Sequence, residues 1–96
     1  MTYTPNPIDT SKVTLTTEIV ELTEILAKNV HEIWSETRMK EGWVYGPERN
    51  DSKKENPCIV PYNNLPESEK EYDRKAAMQT IKTIVALGFN IEKPAK

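Results

Sequence analysis

The 96-residue chain has one cysteine, one histidine and three glycines, and each shortage removes a class of chemistry. Cys58 alone can form no intrachain disulfide, so the chain reads as intracellular. One histidine and one cysteine cannot assemble a zinc site of standard type. Gly42, Gly46 and Gly88 stand apart, which excludes a phosphate-cradling loop and a dinucleotide fingerprint. Asp51-Ser52-Lys53 lacks the ligand ladder of a calcium loop. No cofactor is therefore expected.

Long apolar runs are missing as well. The most apolar window, Ile81 to Phe89, is broken by Lys82, Thr83 and Gly88 and falls far below the roughly 20 residues a membrane span needs. Thirteen basic and 15 acidic residues leave a net charge of −2, with no polybasic surface for nucleic acid. Met1-Thr2-Tyr3-Thr4-Pro5 lacks the basic-then-apolar plan of a signal peptide, so the expected location is the cytoplasm. Aliphatics are scarce too: Leu, Ile, Val and Phe supply 20 of the 96 residues. That sits at the edge of what sustains a core, and a chain this short buries only about 60–70% of its unfolded surface. A partner that completes the core is a reasonable expectation.

What remains is patterned. Ile19, Leu22, Ile25, Leu26, Val30 and Ile33 recur at three- and four-residue steps, predicting a helix over about 17–38 with one broad apolar stripe. Thr16 or Thr17 can cap its start, with Glu18 and Glu21 at the positive dipole end, and Gly42 ends it. A second helix is expected over about 66–87, opened by Pro66 in the first turn, with Ala77, Ile81, Ile84 and Val85 as its buried stripe. Gly88 suits a left-handed cap, and Phe89 beyond it suits a Schellman ending.

Residues 1–16, with Pro5 and Pro7, read as an extended arm laid on the body. The stretch between the helices is too long for a bare connection. Trp43-Val44-Tyr45 and Cys58-Ile59-Val60, each bracketed by Gly or Pro, predict a short antiparallel β-hairpin at about 43–46 and 58–61. The polar tip, 47–57, is expected to be a mobile loop. The expected fold is thus α+β and mainly α, one domain over 1–96: two long antiparallel helices with a short β-hairpin between them.

Few residues carry chemistry. His31 and Cys58 are the one conceivable base and nucleophile pair, and both read more simply as structural. Trp34 lies at the edge of the first stripe, a position suited to core packing, an interface or stacking on a flat ligand. Arg38 follows it by one turn, and Arg49 reaches the same region if the hairpin folds against that helix. A flat aromatic beside arginines is a minimal kit for an anionic aromatic ligand, and a packed Trp34 with a snorkelling Arg38 is the plain alternative.

Several segments match a family pattern. They are Tyr3-Thr4-Pro5-Asn6-Pro7-Ile8-Asp9-Thr10, then Leu26-Ala27-Lys28-Asn29-Val30-His31-Glu32-Ile33-Trp34, then Glu41-Gly42-Trp43-Val44-Tyr45-Gly46-Pro47. Pro57-Cys58-Ile59-Val60-Pro61-Tyr62, Leu65-Pro66-Glu67-Ser68-Glu69-Lys70-Glu71-Tyr72-Asp73 and Ala86-Leu87-Gly88-Phe89 complete the series. Over about residues 3–91 the chain resembles the RyR domain, the repeat found in tandem pairs in the cytoplasmic part of ryanodine-receptor calcium channels. The resemblance implies a non-catalytic module of two helices with a short β-element. In the channels the repeats pair about a pseudo-twofold axis, and adenine nucleotide binds between the halves through a helix-one tryptophan and an arginine after the Tyr-Gly-Pro strand. Carried over by motif, these are Trp34 and Arg49, the latter within Gly46-Pro47-Glu48-Arg49-Asn50-Asp51. Trp43, Tyr45 and Arg38 are added as neighbours.

With a single repeat here, a site between halves requires a homodimer. The expected function is a non-enzymatic module sensing a nucleotide or nucleotide-derived ligand, of adenine-nucleotide or ADP-ribose type, at a dimer interface. The alternative is a structural interaction domain that docks a protein partner and takes no small ligand.

Overall fold

The computed structural model describes residues 2–94. In chain order it has α1 (Thr17–Lys40), β1 (Val44–Tyr45), β2 (Glu55–Asn56), a 3₁₀ turn (Tyr62–Asn64) and α2 (Glu67–Ala86). The expected α+β class and helix pair are present. Residues 2–16 form an extended arm without regular structure, tied to α2 where the Thr10 hydroxyl donates to Gln79 at 3.0 Å.

Both helices end for local reasons. Thr16 Oγ1 accepts from the Ile19 amide at the start of α1. At its end Gly42 takes φ +94°, and the amides of Gly42 and Trp43 donate back to Met39 and Arg38. That is a Schellman closure, which needs a residue free to adopt the left-handed region. α2 ends the same way: Gly88 at φ +98° donates to Val85, and the Phe89 amide donates to Ile84. Pro66 stands one position earlier than expected, at the N-cap and not in the first turn.

The helices pack antiparallel, cross-linked by Arg74. Its guanidinium donates to Glu24 of α1 at 2.6 Å and to Glu71 and Glu67 of α2 at 2.6 and 3.1 Å. The guanidinium holds the Glu24 and Glu67 carboxyls below their ordinary range, with Lys70 adding to the effect at Glu67.

The inward face of α1 differs from the expected stripe. Ile19, Thr23, Ala27 and His31 are its buried residues, at strict four-residue steps. Leu22, Ile25, Val30 and Ile33 are exposed, and so is Ile84 of α2. Ile19 meets the expectation, as do Ala77 and Ile81 of α2, whereas the middle of α1 turns the small Ala27 and the polar His31 toward the linker. Ala27 is fully buried, and Tyr62 and Leu65 pack on it with Cys58 and Val60 beside them. A larger residue at 27 would hold the linker away.

The β-element is also displaced from expectation. Val44 and Tyr45 pair with Glu55 and Asn56, not with 58–61, and the two strands run parallel. After Asn56 the chain turns at once: Asn56 Oδ1 accepts from the Cys58 amide at 2.7 Å, and the Ile59 amide donates to the Asn56 carbonyl. Pro57 and Pro61 lack amide donors, so Cys58-Ile59-Val60 has little with which to build a ladder. The parallel sense arises because residues 46–54 curl fully round. Asn50 and Glu55 exchange two backbone hydrogen bonds, Lys54 takes φ +55°, and its Nζ donates to the Glu41 carbonyl at 2.7 Å. That ammonium caps the negative end of α1 and fixes the loop there. Part of the 47–57 stretch is therefore strand.

Gly46 abuts this pair: a Cβ there would lie 2.6 Å from Glu55 Cβ. Gly46→Ala is expected to cost about 1–3 kcal/mol by forcing β1 and β2 apart, as read from denaturant unfolding, and an unchanged midpoint refutes the contact. The Arg74 cluster sets an acid dependence. Carboxyls with lowered folded pKa contribute stability above their ordinary 4.5 that is lost as pH falls through the folded values. Melting temperature should fall below pH 4.5, and Arg74→Gln should flatten that fall. An equally steep loss in the variant would place its origin elsewhere.

Candidate functional site

A cleft of about 440 Å³ opens where the linker crosses between the helices. Val30, His31 and Trp34 of α1 form one wall, and Glu69 and Asp73 of α2 form another. Asn56, Pro57, Cys58 and Leu65 come from the linker, and Arg49 from the curled loop. The volume lies within the range of about 300–1,000 Å³ usual for small-molecule sites.

His31 organises the α1 wall. It is buried, its Nε2 lies 2.7 Å from the Val60 carbonyl, and that bond ties α1 to the linker. Ser35 Oγ lies 3.3 Å from the same nitrogen. The Trp34 ring stacks on the imidazole at 5.6 Å between centroids and 24° between planes. Three residues further would be a poor stacking distance in a strand, but on a helix it is a neighbouring position. The histidine thus serves the structure, as expected, and also holds the indole at the cleft.

Arg49 arrives through the loop that Lys54 and the Asn50–Glu55 bridge hold against the end of α1. Its guanidinium pairs with Asp51, Nε to Oδ1 at 2.8 Å, and both side chains are exposed. The pairing lowers the Asp51 pKa and raises that of Arg49. An anion entering the cleft therefore competes with Asp51 for the guanidinium.

Of the five residues singled out in the sequence, Trp34 and Arg49 share this cleft. Arg38, Trp43 and Tyr45 are not in its lining. Arg38 lies over Trp34 at 6.0 Å and over Trp43 at 5.7 Å, while pairing with Glu41 at 3.3 Å. It joins the two tryptophans and belongs to the end of α1. Tyr45 is exposed on β1. The carboxylates of Glu69 and Asp73 escaped sequence reasoning. Their four-residue spacing on α2 was a signal of a shared face, but nothing in the sequence showed which face met the linker. Burial pushes the Asp73 carboxyl above its ordinary value, partly opposed by His31. The cleft accordingly has a cationic side at Arg49 and an acceptor side on α2.

Cys58 lies in the same cleft, and burial, then Glu69 and Asp73, pushes its thiol up. A raised pKa depletes the thiolate that nucleophilic chemistry requires. Alkylation by iodoacetamide at pH 7.5 should be slower for Cys58 than for a free thiol. Asp73→Asn should accelerate it, and a rate equal to free cysteine would contradict this environment.

Residues 3–93 match the family model described as the RyR domain. The match takes in both helices, the β-pair and every residue lining the cleft. The Schellman-closed helices, the parallel pair and the linker packed on Ala27 all lie within the matched residues, and the chain belongs to the RyR domain family.

Proposed function

We propose that this chain is a non-enzymatic binding module whose cleft takes a nucleotide or nucleotide-derived anion, of the adenine-nucleotide or ADP-ribose class. The observation that carries the reading is the convergence of Trp34 and Arg49, 15 positions apart in the chain, on one cleft of ligand size. The indole offers a flat face for a base, and the guanidinium offers paired donors for phosphate. The family resemblance supplies the adenine class. Glu69 and Asp73 accept hydrogen bonds from a donor such as an exocyclic amine and repel phosphate, which orients the ligand with its base toward α2 and its anion toward Arg49. The raised Cys58 thiol and the His31 nitrogen engaged with Val60 favour binding over covalent chemistry.

The reading seats the ligand in this cleft rather than between two copies. Thermal unfolding with AMP, ADP, ATP and ADP-ribose tests it. A ligand at 100 times its Kd adds about 2.7 kcal/mol of stability. Arg49→Ala and Trp34→Phe should weaken a stabilising ligand about tenfold, and Asp51→Asn should tighten it by freeing the guanidinium. No response across the panel, or a response indifferent to Arg49 and Trp34, overturns the reading.

A further inference from the structure

The outward face of α1 is apolar and open in its middle, while at its N-terminal end Glu18 and Leu22 share a groove with Ile91, Glu92 and Lys93. Ile25 is 66% and Ile33 56% exposed, with Leu22 on the same row. Leu22, Ile25, Asn29, Ile33 and Glu36 follow three- and four-residue steps, so they share one face. At about 100° per residue, Asn29 sits about 160° round the helix from the fully buried Ala27. A shallow groove along this face is lined by α1 alone, including Asn29, Ile33, Glu36 and Lys40. The described residues therefore leave the middle of this face, Ile25 to Ile33, exposed, although the chain is short of aliphatics.

The charges on this face say what fits it. Its N-terminal end carries Glu18 and its C-terminal end Lys40, which also reaches Glu36 at 3.8 Å. We propose that a second copy of the chain covers the face, with the two α1 helices antiparallel across a twofold axis at Asn29. In that register Ile25 meets Ile33 of the other copy, Leu22 meets Glu36, and Glu18 meets Lys40. Asn29 meets itself, where paired amides can exchange hydrogen bonds. Between the two α1 helices no like charges face each other, and the helix dipoles oppose favourably. A parallel arrangement would set Glu18 against Glu18 and Lys40 against Lys40. The interface is isologous, so it closes at two copies. One helix face is small for a specific contact, which makes the association concentration-dependent.

The nucleotide cleft lies on the inner side of α1, so pairing and ligand binding can fail independently. Sedimentation velocity from micromolar to submillimolar concentration, without ligand, should show a monomer–dimer equilibrium. Ile25→Asp and Ile33→Asp each replace an exposed side chain, should keep the helical circular dichroism, and should weaken the dimer about tenfold or more. Glu18→Lys or Lys40→Glu alone should weaken it, and the two together should restore it. In a Cys58→Ser background, Asn29→Cys should be cross-linked to dimer by a short bismaleimide, whereas Lys75→Cys on α2 should not. A monomer at every concentration overturns the proposal. So does a dimer indifferent to Ile33→Asp, or a failure of Asn29→Cys to cross-link, since either places the contact elsewhere.

Discussion

The methyl group of Ala27 sets the geometry of this domain. It is the fully buried point of α1, and the linker closes over it with Tyr62 and Leu65. A small side chain there lets irregular backbone approach the helix closely enough for the Val60 carbonyl to reach His31. Dispersion and burial over so few groups are modest, and the hydrogen bond adds direction to them. Among the described residues the buried Tyr62 hydroxyl makes no hydrogen bond of ordinary geometry. Burial and then the nearby Glu24 carboxylate push its pKa up. The ring is thus kept inside by its carbon surface.

From that contact the cleft follows. Once the linker is seated on α1, Cys58 and Leu65 face the inner wall, and α2 descends with Glu69 and Asp73 toward the same space. The second fixed point is the end of α1, where Gly42 turns the chain and Lys54 returns to cap it. Arg49 lies between Gly42 and Lys54 in the chain, so its place is set by a helix terminus and not by the core.

The sequence was informative where a residue acts on its own backbone. Gly42, Gly88, Thr16 and the prolines mark ends and turns through local sterics, and both helices and their closures lie where those residues put them. It was less informative where an outcome depends on which of two surfaces meets a neighbour. The stripe from Ile19 to Ile33 gave a true helix but the wrong inner face, because hydrophobic periodicity orients a helix only when it has one apolar side. Ala27 and His31 pack inward because a small group and a hydrogen-bonding group suit the crossing linker, and no hydropathy pattern contains that requirement. Cys58-Ile59-Val60 looked like a strand by composition, whereas Asn56 turned the chain through its side chain first. Trp34 and Arg49 were legible as candidate site residues by chemistry and motif, but their shared cleft rests on the curl of residues 46–54.

That curl has a consequence for motion. The loop carrying Arg49 is held by the Lys54 ammonium, the Asn50–Glu55 bridge and a two-residue ladder, all near the surface. The opposite wall, with His31 and Trp34, belongs to the tightly packed middle of α1. Local opening draws first on segments with few buried contacts. One wall of the cleft is therefore built into the cooperative unit of the domain while the other can detach by fraying of a helix end, so Arg49 can leave the cleft while the domain remains folded.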